Sequence, residues 1–179
     1  MIPDSVLSGF EHSVQHAAIG KPVTLATPYS SSYPGQGPGT LVNGILGCVG
    51  VWPGEWLGYL GNDLDATIDL GQSTQLSQLT VDCLQTVAYG IYLPSQVVFW
   101  AGNTSSNLTV LQTVTNSISQ DTLGPFRASF STGTLNVQAR YVRVVAHNIG
   151  VIPSGHPGAG VASWLFVDEI TVNPQPASP

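Results

Sequence analysis

The chain has 179 residues, of which 42% are hydrophobic and only 8% charged, and it carries a net charge of −6. Lys21, Arg127, Arg140 and Arg143 are its only lysines and arginines, which excludes a basic surface for nucleic-acid backbones or anionic membranes. No apolar run approaches the roughly 20 residues of a membrane-spanning helix, and the length suits one domain with a real core.

The N-terminus, Met1-Ile-Pro-Asp-Ser, lacks the basic start and apolar stretch of a signal peptide. It is read as either a mature chain from which a signal was removed or a domain of a longer protein. The spacing of Val6, Leu7, Phe10 and Val14 predicts one short helix over 4–18, with Asp4 or Ser5 as its cap. His12 and His16 then share a solvated helical face; without a third ligand they are not a zinc pair. Residues 1–18 form an N-terminal extension, 19–172 the domain, and the Pro-rich 173–179 a linker or flexible tail.

After Gly20 the pattern is all β. Strands are predicted from Val23, then at 64–70, 76–84, 96–101, 108–114, 126–131, 141–146 and 165–172. These runs are rich in Val, Ile, Thr, Phe and Tyr and are separated by Gly, Pro, Asn or Ser. The clearest is Leu64-Asp-Ala-Thr-Ile-Asp-Leu, where apolar Leu64, Ala66, Ile68 and Leu70 alternate with Asp65, Thr67 and Asp69 before Gly71. About eight short strands without intervening helices predict an all-β, antiparallel sandwich. Gly35, Gly37 and Gly39 lie in a long loop without the strand-to-helix context of a dinucleotide site.

Cys48 and Cys83 leave two readings open: one disulfide, or a buried small residue and a loop thiol. Asn103-Thr-Ser and Asn107-Leu-Thr are sequons in one polar loop, meaningful only in a eukaryotic secretory setting. Gly-x-Ser-x-Gly, a phosphate loop and a metalloprotease helix are all absent. Asp65 and Asp69 alternate with core residues, so solvation explains them better than a glycosidase pair.

Three segments are candidate ligand sites. Trp52, Trp56 and Tyr59, with Glu55 as a hydroxyl acceptor, lie on a glycine-rich stretch that reads as a loop, and their rings suit a flat, weakly charged ligand such as a sugar. Trp56 serves equally as a plug at the end of the core. The segment from Asn148 to Trp164 holds His156 among glycines, where a neutral imidazole can donate to and accept from vicinal hydroxyls, or simply satisfy a turn. Tyr29 and Tyr33 form the third group.

The approach segment with Trp56, the strand ending Ile68-Asp-Leu-Gly, and the blocks Leu93-Pro-Ser-Gln-Val-Val-Phe-Trp-Ala-Gly, Ala139-Arg-Tyr-Val-Arg-Val-Val-Ala and Trp164-Leu-Phe-Val-Asp-Glu-Ile-Thr-Val occur in an order that resembles the discoidin-like (coagulation-factor type C) domain. Its sugar-binding members include the family 32 carbohydrate-binding modules. Gly20-Lys-Pro-Val-Thr-Leu, Trp56-Leu-Gly-Tyr, Asn148-Ile-Gly and His156-Pro-Gly-Ala-Gly are similar to blocks of the domain appended to bacterial family 20 beta-N-acetylhexosaminidases. The resemblance spans about Ile19 to Val172 and implies a discoidin-like jelly roll with a ligand site in loops at one end. It implies a non-catalytic, extracellular or cell-surface module that uses Trp56, Tyr59, His156 and Trp164 to bind galactose- or N-acetylhexosamine-type glycans. A parent glycoside hydrolase is an implied partner. A structural Ca2+ is also implied, held by the loop at Asn43 and by Glu169, with Asn43 standing where the family has aspartate. The competing reading is a self-assembling extracellular subunit, since scarce charge and polar ends suit repeated packing of a homo-oligomer.

Overall fold

The computed structural model describes residues 12–50 and 54–175. Its strands are β1 (His12–Ser13), β2 (Val23–Leu25), β3 (Ile45–Leu46), β4 (Leu57–Leu60), β5 (Leu64–Leu76), β6 (Leu79–Gln85), β7 (Gln96–Thr104), β8 (Asn107–Thr115), β9 (Phe126–Ser131), β10 (Val137–His147) and β11 (Trp164–Val172). A five-stranded sheet, β2-β5-β10-β7-β8, packs against a four-stranded one, β4-β11-β6-β9, and β1 pairs with β3 in a small accessory ribbon. All these pairings are antiparallel, so the observed class is the all-β sandwich expected from the sequence.

Alternation determines which face is buried. In β5, Leu64, Ala66, Ile68 and Leu70 point inward and meet Val142, Val144 and Ala146 of β10 and Val97, Phe99 and Ala101 of β7. The opposing layer supplies Leu79, Val81, Cys83, Leu165, Val167, Ile170 and Val172. Strands β6 and β11 are buried along nearly their whole length, so their polar residues, Thr80, Asp82 and Gln85 in β6 and Asp168, Glu169 and Thr171 in β11, are buried as well.

Two local expectations are corrected. His12–Ser13 is strand, and 14–18 continue through coil into a turn, so the predicted helix does not extend over these residues. Its start, at 4–11, lies outside the described residues. Ala17 N–H donates to the Val172 carbonyl and Val14 N–H to that of Gly44, pairings that anchor the segment on the sandwich. The second correction is that Leu57–Leu60 is a strand rather than loop. Gly58 is there for close packing: a Cβ would meet Tyr33 Cβ at 2.8 Å and Phe166 Cε1 at 3.0 Å.

Candidate functional site

Strands β2, β4, β6, β8 and β10 end, and β5, β7, β9 and β11 begin, at the same end of the sandwich, opposite the Val172 terminus. Three loops meet there. Trp164 N–H donates to the Gly90 carbonyl and Tyr92 N–H to that of Trp164, joining the 86–95 loop to the start of β11. Val87 N–H donates to the Leu123 carbonyl, which brings in the 116–125 loop. Gly61 N–H donates to the Ser163 carbonyl, so the turn after β4 lies beside the 148–163 loop. Asn148 ties the last loop down, donating to the Tyr59 and Ser163 carbonyls while accepting from Gly150 N–H and Ser163 Oγ–H.

His156 sits at the junction of these loops. Its Nδ1 lies 2.7 Å from the Tyr92 hydroxyl and its Nε2 2.8 Å from Asp121 Oδ1. Burial, with the nearby Asp121 charge, raises the Tyr92 pKa, and in the neutral Nε2–H tautomer the phenol donates to Nδ1. Nε2–H then donates to Asp121 and holds that carboxylate below its ordinary pKa. Both imidazole nitrogens are thus engaged, and the group open to a ligand is Asp121, whose side chain is 85% exposed. The arrangement offers a positioned hydrogen-bond acceptor.

Exposed apolar side chains gather around the same rim: Leu60, Tyr89, Leu123, Val151 and Val161. Sequence reasoning missed Tyr89, which follows the strand expected at 76–84 and lies in none of the three candidate segments. The structure makes Val87–Tyr89 a 3-10 turn closed by Gly90 at φ 70°, which projects the tyrosine ring to 64% exposure.

The four residues named from sequence take different places. Trp56 is fully buried beside Leu84, Ile91 and Phe166, and its Nε1–H donates to the Cys48 carbonyl. Trp164 packs on that cluster, edge-on to Tyr33 at 5.0 Å and to Phe166 at 5.8 Å. Tyr59 lies in the main core, where burial raises its hydroxyl pKa far above the usual value. The structure therefore brings Trp56 and Trp164 together as packing, leaves Tyr59 in the sandwich interior, and puts only His156 among the end loops. Tyr29 also packs against the core, and Trp52 lies outside the described residues. Glu55 is buried and accepts from Gln36 Nε2–H and Asn43 Nδ2–H, which leaves it as an anchor for these loops.

The donor set at the expected calcium position is already occupied by protein N–H groups. Asn43 Oδ1 accepts from Ile45 N–H, and Glu169 Oε2 from Gly44 N–H. His16 Nδ1 accepts from Ala18 N–H, so its Nε2–H donates to Glu169 Oε1 at 2.8 Å, with both side chains fully buried. Here His16 is an internal partner, which corrects the solvated face expected for it. Asn43 Oδ1 and both Glu169 oxygens each face a donor hydrogen, so these two residues present no side-chain oxygen free of a protein donor. Cys48 and Cys83 are both free thiols, and burial raises the Cys83 pKa well above its usual value.

No protein-family model and no curated protein sequence matches the chain. Solved structures do match in fold. The chitosan-binding module 1 of a chitosanase/glucanase from Paenibacillus sp. IK-5 is 15% identical with TM-score 0.52, over 88% of this chain and 98% of that one. A CBM32 module produced by Clostridium perfringens, solved with glcNAc-alpha-1,4-galactose, is 12% identical with TM-score 0.53, over 90% of this chain and 94% of that one. A GH29 fucosidase of Ruminococcus gnavus, solved with fucose, aligns over 89% of this chain but 26% of its own length, at 15% identity and TM-score 0.56. In architecture the chain resembles the discoidin-like modules of carbohydrate-binding family 32.

Proposed function

We propose that the chain is a non-catalytic glycan-binding module, secreted or displayed at a cell surface, whose ligand surface is the loop end around Tyr89, Asp121 and His156. The observation that carries this reading is the concentration of exposed apolar side chains around one partly buried, hydrogen-bonded histidine and its exposed carboxylate partner. A pyranose presents an apolar C–H face that the Tyr89 ring can cover, and hydroxyls that Asp121 can accept. The sugar-binding neighbours support the ligand class, and their presence in glycoside hydrolases supports an accessory role beside a parent enzyme. Galactose- and N-acetylhexosamine-containing sugars are the first probes to titrate. Tyr89→Ala and Asp121→Ala should each weaken binding by about fivefold or more, with the thermal transition unchanged. Sugars that bind both variants as tightly as wild type would move the site elsewhere.

One observation favours the assembly reading instead. Strand β8 is an edge of nine residues without a charge or a proline, which leaves its outer hydrogen-bonding groups open to a second copy. Multimers in solution that Val110→Lys dissolves, together with no response to any sugar, would establish that reading in place of the first.

A further inference from the structure

The outer face of the five-stranded sheet holds a cleft separate from the loop end. Alternation turns Asp65 and Thr67 of β5, Arg143 of β10 and Trp100 of β7 away from the core. The register places Thr24 beside Thr67, Thr67 beside Arg143, and Arg143 beside Trp100. These side chains therefore form one row across four strands, at steps of about 4.8 Å. Arg143 Nε–H and Nη2–H donate to the two oxygens of Asp65 at 2.7 and 2.6 Å, and the guanidinium lies 5.6 Å from the centre of the Trp100 ring.

The β7–β8 hairpin closes one side. Its register slips at Phe99/Trp100 and again at Ala101/Thr104, and Gly102 has no side chain where the Asn107 carbonyl oxygen approaches. The bent tip brings Ser105, Ser106 and Leu108 to the same cleft as Ala26, Asp65, Thr67, Trp100 and Arg143, enclosing about 300 Å³. That is the lower end of the roughly 300–1,000 Å³ typical of small-molecule sites.

We propose that this cleft is a second glycan site, which takes one neutral pyranose residue of an oligosaccharide. The Asp65–Arg143 fork sets an acceptor and a donor side by side. Two of the five guanidinium N–H groups are used in it, and the others have no partner among the described residues. Such a pair matches two vicinal hydroxyls. Thr67, Ser105 and Ser106 add hydroxyls, and Trp100 and Leu108 supply apolar cover for the ring. Asp65 and Arg143 neutralise each other and no second cation lines the cleft, so an anionic sugar gains nothing there. The ligand class rests on the function proposed above, but the site does not. Two sites on different faces would let one module bridge neighbouring chains of a polysaccharide.

Backbone and indole amide shifts in the 15N-labelled protein, titrated with chitotriose, lactose and trigalacturonate, test this. The neutral sugars are expected to shift Thr67, Ser105, Ser106, Arg143 and the Trp100 indole. Trp100→Thr should weaken that response at least tenfold, and Ser106→Trp, which fills the cleft from an exposed tip, should abolish it. Tyr89→Ala should leave it unchanged. Shifts confined to residues 86–93, 116–125 and 148–163 would overturn the cleft and keep the loop-end site. Shifts confined to the cleft would do the reverse. No shift with either neutral sugar would sink both, and equal binding of trigalacturonate would overturn the preference for neutral ligands.

Discussion

Asp168 accepts from Gly47 N–H at 2.6 Å through Oδ2, while its buried Oδ1 has no hydrogen-bond partner. Burial, then the neighbouring Glu169 and Asp82 charges, push its pKa well above the carboxylate range, against the opposing pull of the Gly47 hydrogen bond and, more weakly, of Arg127. A raised folded-state pKa contributes stability below the ordinary carboxylate value, and that contribution is lost as pH rises through the raised value. Asp168→Asn keeps an acceptor for Gly47 and removes the ionisation. Its melting temperature should equal or exceed wild type at pH 8, with the advantage shrinking toward pH 5. A loss above about 3 kcal/mol at pH 8 would instead show an ionised Asp168 held by Arg127. His16 makes a second residue-scale test. His16→Ala leaves the buried Glu169 without one of its donors and should cost about 1–3 kcal/mol in chemical denaturation. Because protein N–H groups fill that position, calcium and EDTA should leave the wild-type melting temperature unchanged. A rise of several degrees with calcium would restore the metal site.

Strands β7 and β8 owe their curl to Gly102, and that curl forms the wall of the outer cleft. A Cβ at 102 runs into the Asn107 carbonyl oxygen, and backbone yields less readily than a side chain. Gly102→Ala should therefore destabilise the protein by about 1–3 kcal/mol. Amide exchange should speed up most in 96–115 and least in β6 and β11. Uniform exchange with an unchanged melting point would show that the hairpin bends for another reason. At the same scale, β4 shows how an element hides from a pattern. Glycine next to aromatic residues suggests a loop, yet Gly58 is what lets Tyr33 and Phe166 approach the strand.

Over the whole molecule, acid should stabilise before it denatures. Asp82, Asp168 and Glu169 all have raised pKa values, burial being the largest cause for each. Each contributes stability below the ordinary carboxylate value that fades as pH climbs through its raised value. Asp69, by contrast, is lowered to about 2 by its hydrogen bonds from Arg140, and Asp121 is lowered by His156. Their contributions are present above the ordinary value and fade as pH falls toward the lowered one. Both are solvent-facing, so screening keeps their share small. Melting temperatures measured from pH 8 to pH 3 should rise or hold flat to about pH 5 and fall only below about pH 4. A steady fall from pH 8 to pH 5 would contradict the sign assigned to the three buried acids.

The sequence by itself determined eight of the eleven described strands and their inward faces, because a period-two pattern is local: Leu64, Ala66, Ile68 and Leu70 declare one buried face whatever they pack against. It also showed Asp65 and Asp69 to be outward-facing, though not that Arg143 and Arg140 would clasp them from β10. Which aromatic residues are exposed was decided only in three dimensions. Trp56 and Tyr59 look like a loop display in sequence and are fully buried, because β11, the 86–95 loop and Tyr33 cover them from positions distant in the chain. Tyr89 falls in none of the candidate segments and is exposed, because a 3-10 turn follows β6. His16 finds Glu169 across 153 positions, and His156 finds Asp121 across 35. Burial and partner choice are non-local quantities, set by which surfaces the two sheets bring together, so neither composition nor spacing contains them.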